Sequence, residues 1–337
     1  MQSGLNKKII IIAEIGVNHN GSLKIAKKLV DGAKKAGADI VKFQVYKTKF
    51  LVSKKTPLAK YQKKNTQKKI VDQFDLLKKY ELSEKNIIFL INYCKKKKIE
   101  FMATPFDRES LKIIKNNVKR IKISSADIDN FELINSVRQL KKQIILSTGL
   151  SNFNEIKKTT NFLIKKGYKK NKIILLHCTS AYPVPVDEIN LKSINFLKSK
   201  GFEVGFSDHT AGNDAAIAAV ALGAKVIEKH ITLNKKMSGP DHKASADINQ
   251  FKELVKSIRT TEIALGNENK TIAFSAKNNF FIARRSLFSK KEIKKGEKFN
   301  SSNMICLRPA KGKSPTNWLK YLDKKKAKKN YKIGELI

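Results

Sequence analysis

The sequence has few cysteines, and their arrangement excludes two kinds of structural site. Cys94, Cys178 and Cys306 are the three cysteines among 337 residues, and no two of them form a CxxC pair. An odd number of widely separated cysteines argues against a disulfide framework and against a zinc site built from thiolates. Any metal would therefore have to be bound by histidine and oxygen ligands.

Arginine and acidic residues are scarce in a chain that is strongly basic. Lysine and arginine total 70 against 29 aspartates and glutamates, a net charge of +41, yet seven of the 70 are arginine. Proteins that read nucleic acid favour arginine, interleaved with aromatic residues. The lysines form short runs typical of solvated surfaces, so we expect no specific nucleic-acid partner, although weak attraction to polyanions and small acidic substrates follows from the charge.

Long apolar runs are missing as well. No run approaches the roughly 20 residues needed to cross a bilayer. The first residues, MQSGLNKKII, lead directly into a strand-like segment and show no features of a signal peptide. We therefore expect a cytoplasmic protein with no membrane partner.

Strand-like segments alternate with amphipathic helical segments over the first 265 residues. The strand-like segments are 8–16, 39–46, 99–106, 120–127, 143–149, 173–180, 203–209 and 225–232. Short apolar strands that alternate with helices predict parallel β/α units, and eight of them favour a closed (β/α)₈ TIM barrel. No GxGxxG follows the first strand, which argues against a dinucleotide fold.

The rest of the chain departs from this alternation in three places. Residues 47–70 form a long polar connection after the second strand, and loops of this length are usually functional or mobile. Residues 266–280 have the composition of a linker. Residues 281–337 contain short strands and turn signals with little helix, so we predict a barrel domain over 1–265 and a small β-rich domain over 281–337.

All eight predicted strands end in polar or ionisable residues. In a TIM barrel the carboxyl ends of the strands form one rim, which carries the active site. Lys42 and Lys122 lie within otherwise apolar strands, where an uncompensated ammonium group is costly. An anionic ligand or an ion pair with Glu14 or Glu228 would explain these lysines, and we favour the ligand.

Two histidines, His209 and His230, lie at the ends of neighbouring strands. A histidine in such a position is more often structural than a ligand. Two imidazoles from adjacent strands could nevertheless share one divalent cation, with oxygen ligands or water completing its shell. Mn²⁺ or a similar ion suits this donor set.

Motifs along the whole chain resemble the sialic acid synthase family. They are AEIGVNHNGS, VKFQ, ATPFD, IKISSAD, ILSTG, LHCTSAYPVP, GFSDHT, IEKHIT and SGPDHKAS, in the order of that family. IKKGE, RPAKGKSP and YKIGELI are similar to the family's antifreeze-like (SAF) domain. Each motif alone is weak, but together they are highly specific.

The resemblance implies an N-acetylneuraminate synthase-type transferase. Such an enzyme condenses phosphoenolpyruvate with an open-chain N-acetylmannosamine-type sugar, an N-acylated amino-hexose, and gives a nine-carbon sialic acid and phosphate by C–O cleavage. It implies a divalent metal, Mn²⁺ first with Mg²⁺ or Co²⁺ as alternatives, and a homodimer in which each SAF domain is swapped over the partner barrel. A legionaminic acid synthase using 2,4-diacetamido-2,4,6-trideoxymannose is the alternative product branch, with a pseudaminic acid synthase as a further one.

The resemblance also implies roles for individual positions. The catalytic residues implied are Glu14, Lys42, Lys122 and Glu228, with Glu14 as a general base. Those implied to bind phosphoenolpyruvate are Lys42, Thr104, Lys122, Ser125, Ser147 and Ser207. Those implied to bind the sugar are Gln44, Asn65, Tyr182, Asp241 and Arg308. The implied metal ligands are His209 and His230.

Several positions depart from the family pattern. Ser180 stands where some members carry asparagine, Ser124 and Asp127 replace a glycine and a glutamate, and RPAKG lacks one glycine of a turn beside Arg308. These changes bear on the choice of sugar. Two functions of other classes remain open: an aldolase that forms a Schiff base on a barrel lysine, and a non-enzymatic protein that binds polyanions or ice.

Overall fold

The chain folds into two compact units, which divide between Gly266 and Asn267. The computed structural model describes residues 8–59, 62–63 and 70–337. The predicted boundaries of barrel (1–265), linker (266–280) and small domain (281–337) stay predictions. Residues 277–283, which span the end of the predicted linker, form a helix of the second unit.

The first unit is a closed barrel of eight parallel strands. The strands are β1 (Ile10–Gly16), β2 (Ile40–Val45), β3 (Glu100–Pro105), β4 (Arg120–Ile123), β5 (Gln143–Ser147), β6 (Ile173–His177), β7 (Glu203–Asp208) and β8 (Val226–Thr232). Each strand pairs with the next along the chain, and β1 also pairs with β8. The barrel and the small domain that follows it confirm the predicted fold class.

Helices connect the strands in the order expected of β/α units. They are α1 (Leu23–Ala36), α2 (Thr48–Leu51), α3 (Gln73–Tyr80), α4 (Glu84–Lys96), α5 (Arg108–Ile114), α6 (Phe131–Arg138), α7 (Phe153–Lys165), α8 (Ser193–Ser199) and α9 (Asp214–Ala221). A two-residue strand, β9 (Ala246–Asp247), then leads into α10 (Ile248–Leu265). Over the ranges that the structure describes, no helix combines the length and apolar character that a bilayer span needs.

The helix boundaries follow from local sequence signals. α1 begins after Ser22, whose side chain accepts a hydrogen bond from the backbone of Ile25, and it ends at Gly37 with a left-handed φ of 94°. α7 and α10 each begin with a capping box, in which the N-cap side chain and the third helical residue satisfy each other's backbone N–H.

The two faces of the barrel strands belong to two separate hydrophobic clusters. One face packs against the helices in the main hydrophobic core. The other face fills the barrel with a second cluster: Ile12, Ile40, Met102, Ile145, Ile174, Leu176 and Val226. Because successive side chains of a strand alternate between faces, the residues two places further along each strand also point into the barrel.

Several strands are shorter than predicted. β4 ends at Ile123 and not at 127, because the Ser124 hydroxyl donates to Asp127 and residues Ser125–Asp127 turn as a 3₁₀ helix. β6 ends at His177 and not at 180. The long connection predicted over 47–70 contains α2, and its residues 60–61 and 64–69 lie outside the described part of the chain.

The second unit is small and partly β-structured. It contains α11 (Lys277–Ala283), the antiparallel strands β10 (Ser286–Ser289) and β11 (Met304–Leu307), and α12 (Trp318–Tyr321). Its own hydrophobic cluster consists of Leu287, Ile293, Phe299, Met304, Ala327 and Ile337. A separate core agrees with a domain that is distinct from the barrel.

Candidate active site

A layer of polar side chains lies directly above the apolar interior of the barrel. On each contributing strand, an apolar residue of the interior and a polar residue of this layer are two positions apart. Because successive side chains alternate between the faces of a strand, both point into the barrel. The pairs are Ile12 and Glu14, Ile40 and Lys42, Met102 and Thr104, Ile145 and Ser147, and Val226 and Glu228. The polar members lie towards the carboxyl ends of the strands, where TIM-barrel active sites are found.

These side chains line a cavity of about 490 Å³. The predicted site residues in its wall are Glu14, Lys42, Gln44, Thr104, Lys122, Ser125, Ser147, Tyr182, Ser207, His209, Glu228 and His230. Seven of the eight barrel strands, all except β6, contribute residues to this list, so the barrel gathers into one place positions that are far apart in sequence.

Two lysines and two glutamates form a buried cluster at the bottom of the cavity. Lys42 Nζ lies 2.8 Å from Glu14 Oε2 and 3.6 Å from Glu228 Oε2. Lys122 Nζ lies 3.6 Å from Glu228 Oε1. All four residues are at most 4% exposed. The ion pair that the sequence left as an alternative explanation of the lysines is therefore present, and both ammonium groups also face the cavity.

The two glutamates have opposite pKa shifts. Burial raises the pKa of Glu14 to about 7, and the neighbouring Glu228 adds to the rise, while Lys42 opposes it. Burial would also raise the pKa of Glu228, but Lys122, Lys42 and a hydrogen bond from Ser207 lower it to about 2. One carboxyl can thus exchange a proton near neutral pH while the other stays ionised, a division of roles typical of acid–base sites.

The two histidines predicted to bind metal lie side by side, with ring centroids 5.8 Å apart. His209 Nδ1 is 2.7 Å from the carbonyl oxygen of Thr179, so Nδ1 carries the proton and Nε2 is left as an acceptor. His230 Nδ1 is buried and has no hydrogen-bond partner among the described residues. Burial lowers the pKa of both rings, that of His230 to about 3.

This donor set fits a divalent cation. Metal ligation requires neutral imidazole, and both rings are neutral at physiological pH. The unpartnered nitrogen of His230 gives a ligand atom with no other role in the structure. No group of three His, Cys, Asp or Glu side chains suited to a metal occurs within the described residues. Water or substrate would therefore have to supply the remaining ligands.

The other predicted residues lie in different surroundings. Asp241 lines a smaller cavity of about 100 Å³ that shares Gln44, Tyr182 and His230 with the main one, and burial raises its pKa to about 6. Arg308 belongs to the second unit, where its side chain is exposed. Asn65 lies outside the described residues.

One of the polar strand ends does not face the cavity. His177 at the end of β6 lies with Nε2 2.7 Å from the carbonyl oxygen of Ile189, and it stacks on Phe206. Cys178, which follows Leu176 by two residues, lines the cavity in its place. The alternation of side chains along β6 predicts this position of Cys178, because Leu176 points into the barrel.

Some cavity residues had not been selected from the sequence. Ser124 and Ser180, noted there as departures from the family pattern, both line the cavity. Gln62 comes from the long polar connection over 47–70, where no periodic pattern could select one residue, and Gln73 is the first residue of α3.

Residues 29–270 match the model of the NeuB family. The N,N'-diacetyllegionaminic acid synthase of Campylobacter jejuni is 47% identical over 333 residues, which cover 98% of this chain and 99% of that protein. The N,N'-diacetyllegionaminic acid synthase of Legionella pneumophila is 40% identical over 319 residues, 93% of this chain and 89% of that protein. The chain belongs to the NeuB family of sialic acid synthases.

A solved structure agrees with this family membership. The N-acetylneuraminic acid synthetase of Leptospira borgpetersenii superposes with a TM-score of 0.72 at 34% identity, covering 81% of this chain and 90% of that one. The family resemblance of the motifs is thus confirmed. The chain is a NeuB-type synthase that makes a sugar acid of the sialic acid kind.

Proposed function

We propose that the enzyme condenses phosphoenolpyruvate with open-chain 2,4-diacetamido-2,4,6-trideoxymannose to give N,N'-diacetyllegionaminic acid and phosphate. The observation that carries the reaction type is the cavity in which two buried lysines, two glutamates of opposite pKa shift and two neutral histidines meet. The identity of 47% with a legionaminic acid synthase favours this acceptor over N-acetylmannosamine, the first choice from sequence.

The lysines and hydroxyls support binding of a small, highly charged anion. Lys42 and Lys122 supply two positive charges, and Thr104, Ser125 and Ser147 supply hydroxyl groups around them. Ser125 Oγ accepts a hydrogen bond from the backbone of Gly149 at 2.9 Å and lies 3.4 Å from Cys178 Sγ, a weak partner that a charged ligand would replace. The phosphate and carboxylate of phosphoenolpyruvate match two ammonium groups that lie close together in a site shielded from water.

The proton chemistry follows from Glu14. Carbon 3 of phosphoenolpyruvate attacks the aldehyde carbon of the sugar, and positive charge develops on carbon 2. Water adds at carbon 2 and gives its proton to Glu14, whose pKa of about 7 suits a general base. The tetrahedral carbon then expels phosphate by breaking its C–O bond, and the phosphate takes the proton back from Glu14. The carbon-2 hydroxyl gives its proton to the alkoxide formed from the aldehyde, which leaves the keto and hydroxyl groups of the product.

Glu228 and the histidines have supporting roles in this scheme. Glu228 stays ionised and orients Lys122 and the Ser207 hydroxyl, which lies 2.9 Å from it. A divalent ion held by His209 and His230, Mn²⁺ in the first place and Mg²⁺ or Co²⁺ as alternatives, would polarise the aldehyde oxygen as a Lewis acid.

The wall of the cavity supports an acceptor with methyl groups. Leu51, Val52, Ala59, Leu77 and Phe106 form an apolar surface in the same cavity as the polar strand ends. A sugar with two acetamido groups and a methyl at carbon 6 buries apolar surface there.

Three further expectations stay proposals: the cytoplasmic location, the swapped homodimer, and the reach of Arg308 to the N-acyl group of the sugar. The number of chains in solution tests the dimer directly. Light scattering should give a mass twice the 38.1 kDa of the chain, whereas a single-chain mass contradicts it.

Phosphate release tests the function. The enzyme is given phosphoenolpyruvate with either 2,4-diacetamido-2,4,6-trideoxymannose or N-acetylmannosamine, before and after EDTA, and with Mn²⁺ restored. We expect release with the trideoxy sugar that EDTA abolishes and Mn²⁺ restores. A preference for N-acetylmannosamine would contradict the proposed acceptor and indicate an N-acetylneuraminate synthase.

The same assay separates the other functions. Release that is insensitive to EDTA would contradict the metal role of the histidines. Burial lowers the pKa of Lys122, so this lysine is the one that an aldolase mechanism would use. Covalent trapping of pyruvate by borohydride, without phosphate release, would replace the proposal by that mechanism.

A further inference from the structure

A buried ion pair lies behind the two histidines, on the face of the strands that points away from the cavity. Asp208 on β7 and Lys229 on β8 are register partners. Lys229 Nζ is 2.6 Å from Asp208 Oδ2, and the two side chains are 3% and 0% exposed. In sequence Asp208 precedes His209 and Lys229 precedes His230, so each member of the pair is bonded to one of the histidines.

The ammonium group of Lys229 also binds the segment that follows His209. It donates to the carbonyl oxygens of Thr210 at 3.0 Å and Gly212 at 2.7 Å. Asp208 Oδ1 in turn accepts from the backbone N–H of Thr210 at 2.8 Å. The three donors of Lys229 are thus used, and they connect β8 to the side chain of the residue before His209 and to the backbone after it.

The remaining contacts of the histidines show what this connection controls. His209 is held from the β6 side, by Thr179 at Nδ1 and by the N–H of Val184 at its carbonyl oxygen, 3.1 Å away. His230 Nδ1 has no partner among the described residues. On its other side His230 is the register partner of Glu14 on β1, so its position relative to His209 depends on that pairing and on how the ends of β7 and β8 are joined.

Stability alone does not account for this pair. Burying two charges has a large desolvation penalty, and apolar residues of similar size often stabilise a core equally well or better. An ion pair with four hydrogen bonds instead fixes the geometry at the ends of β7 and β8.

We propose that Asp208 and Lys229 are positioning residues, which hold the two imidazoles at the separation at which one divalent cation binds both. This inference rests on the proposed function, in which the metal lies between His209 and His230. Residues outside the ligand set that orient ligands typically change metal affinity 10- to 100-fold when they are mutated.

The test is Mn²⁺ binding to the free full-length protein, measured by electron paramagnetic resonance, so that no activity is needed. We expect Lys229→Met to raise the Kd for Mn²⁺ roughly tenfold or more. Arg259→Met is the matched control. Its guanidinium lies 2.6 Å from the carboxylate of Asp39. Asp39 immediately precedes β2, so this ion pair lies at the end of the barrel opposite the cavity. It should bind Mn²⁺ like the wild type.

Lys229→Met leaves the buried carboxylate of Asp208 without a counter-charge, which is strongly destabilising. A second variant therefore removes both charges. The double variant Asp208→Asn with Lys229→Met carries no unpaired charge, and its amide oxygen can still accept from Thr210. We expect the same loss of Mn²⁺ affinity in this variant. With Mn²⁺ added in excess, both variants should regain activity with little change in the KM for phosphoenolpyruvate.

The outcomes separate the two proposals. Wild-type Mn²⁺ affinity in either folded Lys229 variant overturns the positioning role and leaves the metal site intact. Equal losses in Lys229→Met and Arg259→Met also overturn it, since the effect would then be general destabilisation. If the wild type itself binds no Mn²⁺, the metal part of the proposed function fails, and this inference fails with it.

Discussion

Replacing Glu14 by glutamine removes a carboxyl whose pKa lies near neutral pH while keeping its size. Burial raises that pKa from 4.5 to about 7, a difference of roughly 3 kcal/mol between the two protonation states. A general base acts when deprotonated. At a pKa of 7, about a tenth of the enzyme is in that form at pH 6 and about nine tenths at pH 8. The kcat/KM of the wild type for phosphoenolpyruvate, which reports the pKa values of the free enzyme, should therefore rise nearly tenfold between these two values.

Glu14→Gln should lower kcat roughly 100- to 10,000-fold, the usual contribution of a general base. The rise in activity between pH 6 and pH 8 should be absent in this variant. The KM for phosphoenolpyruvate should change much less, because Lys42 keeps Glu228 as a partner 3.6 Å away. The assay is phosphate release at saturating acceptor and Mn²⁺, in steps of half a pH unit.

Glu100→Gln is the control for this experiment. Glu100 begins β3, at the other end of the barrel, and its carboxylate lies 3.5 Å from Arg120. This variant should keep both kcat and the pH profile. A Glu14→Gln enzyme that retains the rise near pH 7 would refute the assignment of the base, as would a variant that loses affinity for phosphoenolpyruvate at unchanged kcat.

Three other substitutions test separate parts of the site. Lys122→Met removes a charged contact worth roughly 1.5–3 kcal/mol, so the KM for phosphoenolpyruvate should rise about tenfold to a hundredfold in steady-state assays. His209→Ala should abolish Mn²⁺ binding in a resonance titration, and unchanged binding would exclude it as a ligand. Asn20→Gly keeps a residue suited to the left-handed φ of 51° there but removes contacts to His242 (3.1 Å) and Ser238 (3.0 Å), beside Asp241. It should raise the acceptor KM about three- to tenfold at unchanged KM for phosphoenolpyruvate, and equal changes in both would contradict a local effect.

The barrel and most of the site could be predicted from the sequence, because both depend on short-range patterns. The alternation of β/α units gave the fold class, and strand ends such as those carrying Lys42 and His209 gave the rim of the cavity. Strand lengths were less predictable. The end of β4 depends on a hydrogen bond between Ser124 and Asp127, which competes locally with continuation of the strand.

Contacts between distant segments could not be predicted in the same way. Gln62 enters the cavity from the long connection and Gln73 from the start of α3, and both positions depend on tertiary packing. Nothing in their local sequence distinguishes them from other polar residues nearby. The pairing of Asp208 with Lys229 needs the register of β7 against β8, which eight similar apolar strands do not encode individually.

The incomplete pairing of the barrel lysines supports an anion ligand in addition to the ion pairs that the structure contains. Lys122 Nζ makes no hydrogen bond to a described residue, and its nearest carboxylate oxygen is 3.6 Å away. Glu228 Oε2 is buried without a hydrogen bond to any described residue. A barrel interior selected for stability would continue the apolar layer of Ile12, Met102 and Val226 upward, since partly satisfied buried charges are worse than an apolar core. The carboxylates keep the ammonium groups charged and in place, and the N–H donors that Lys122 leaves unused are what an incoming phosphate or carboxylate would take up.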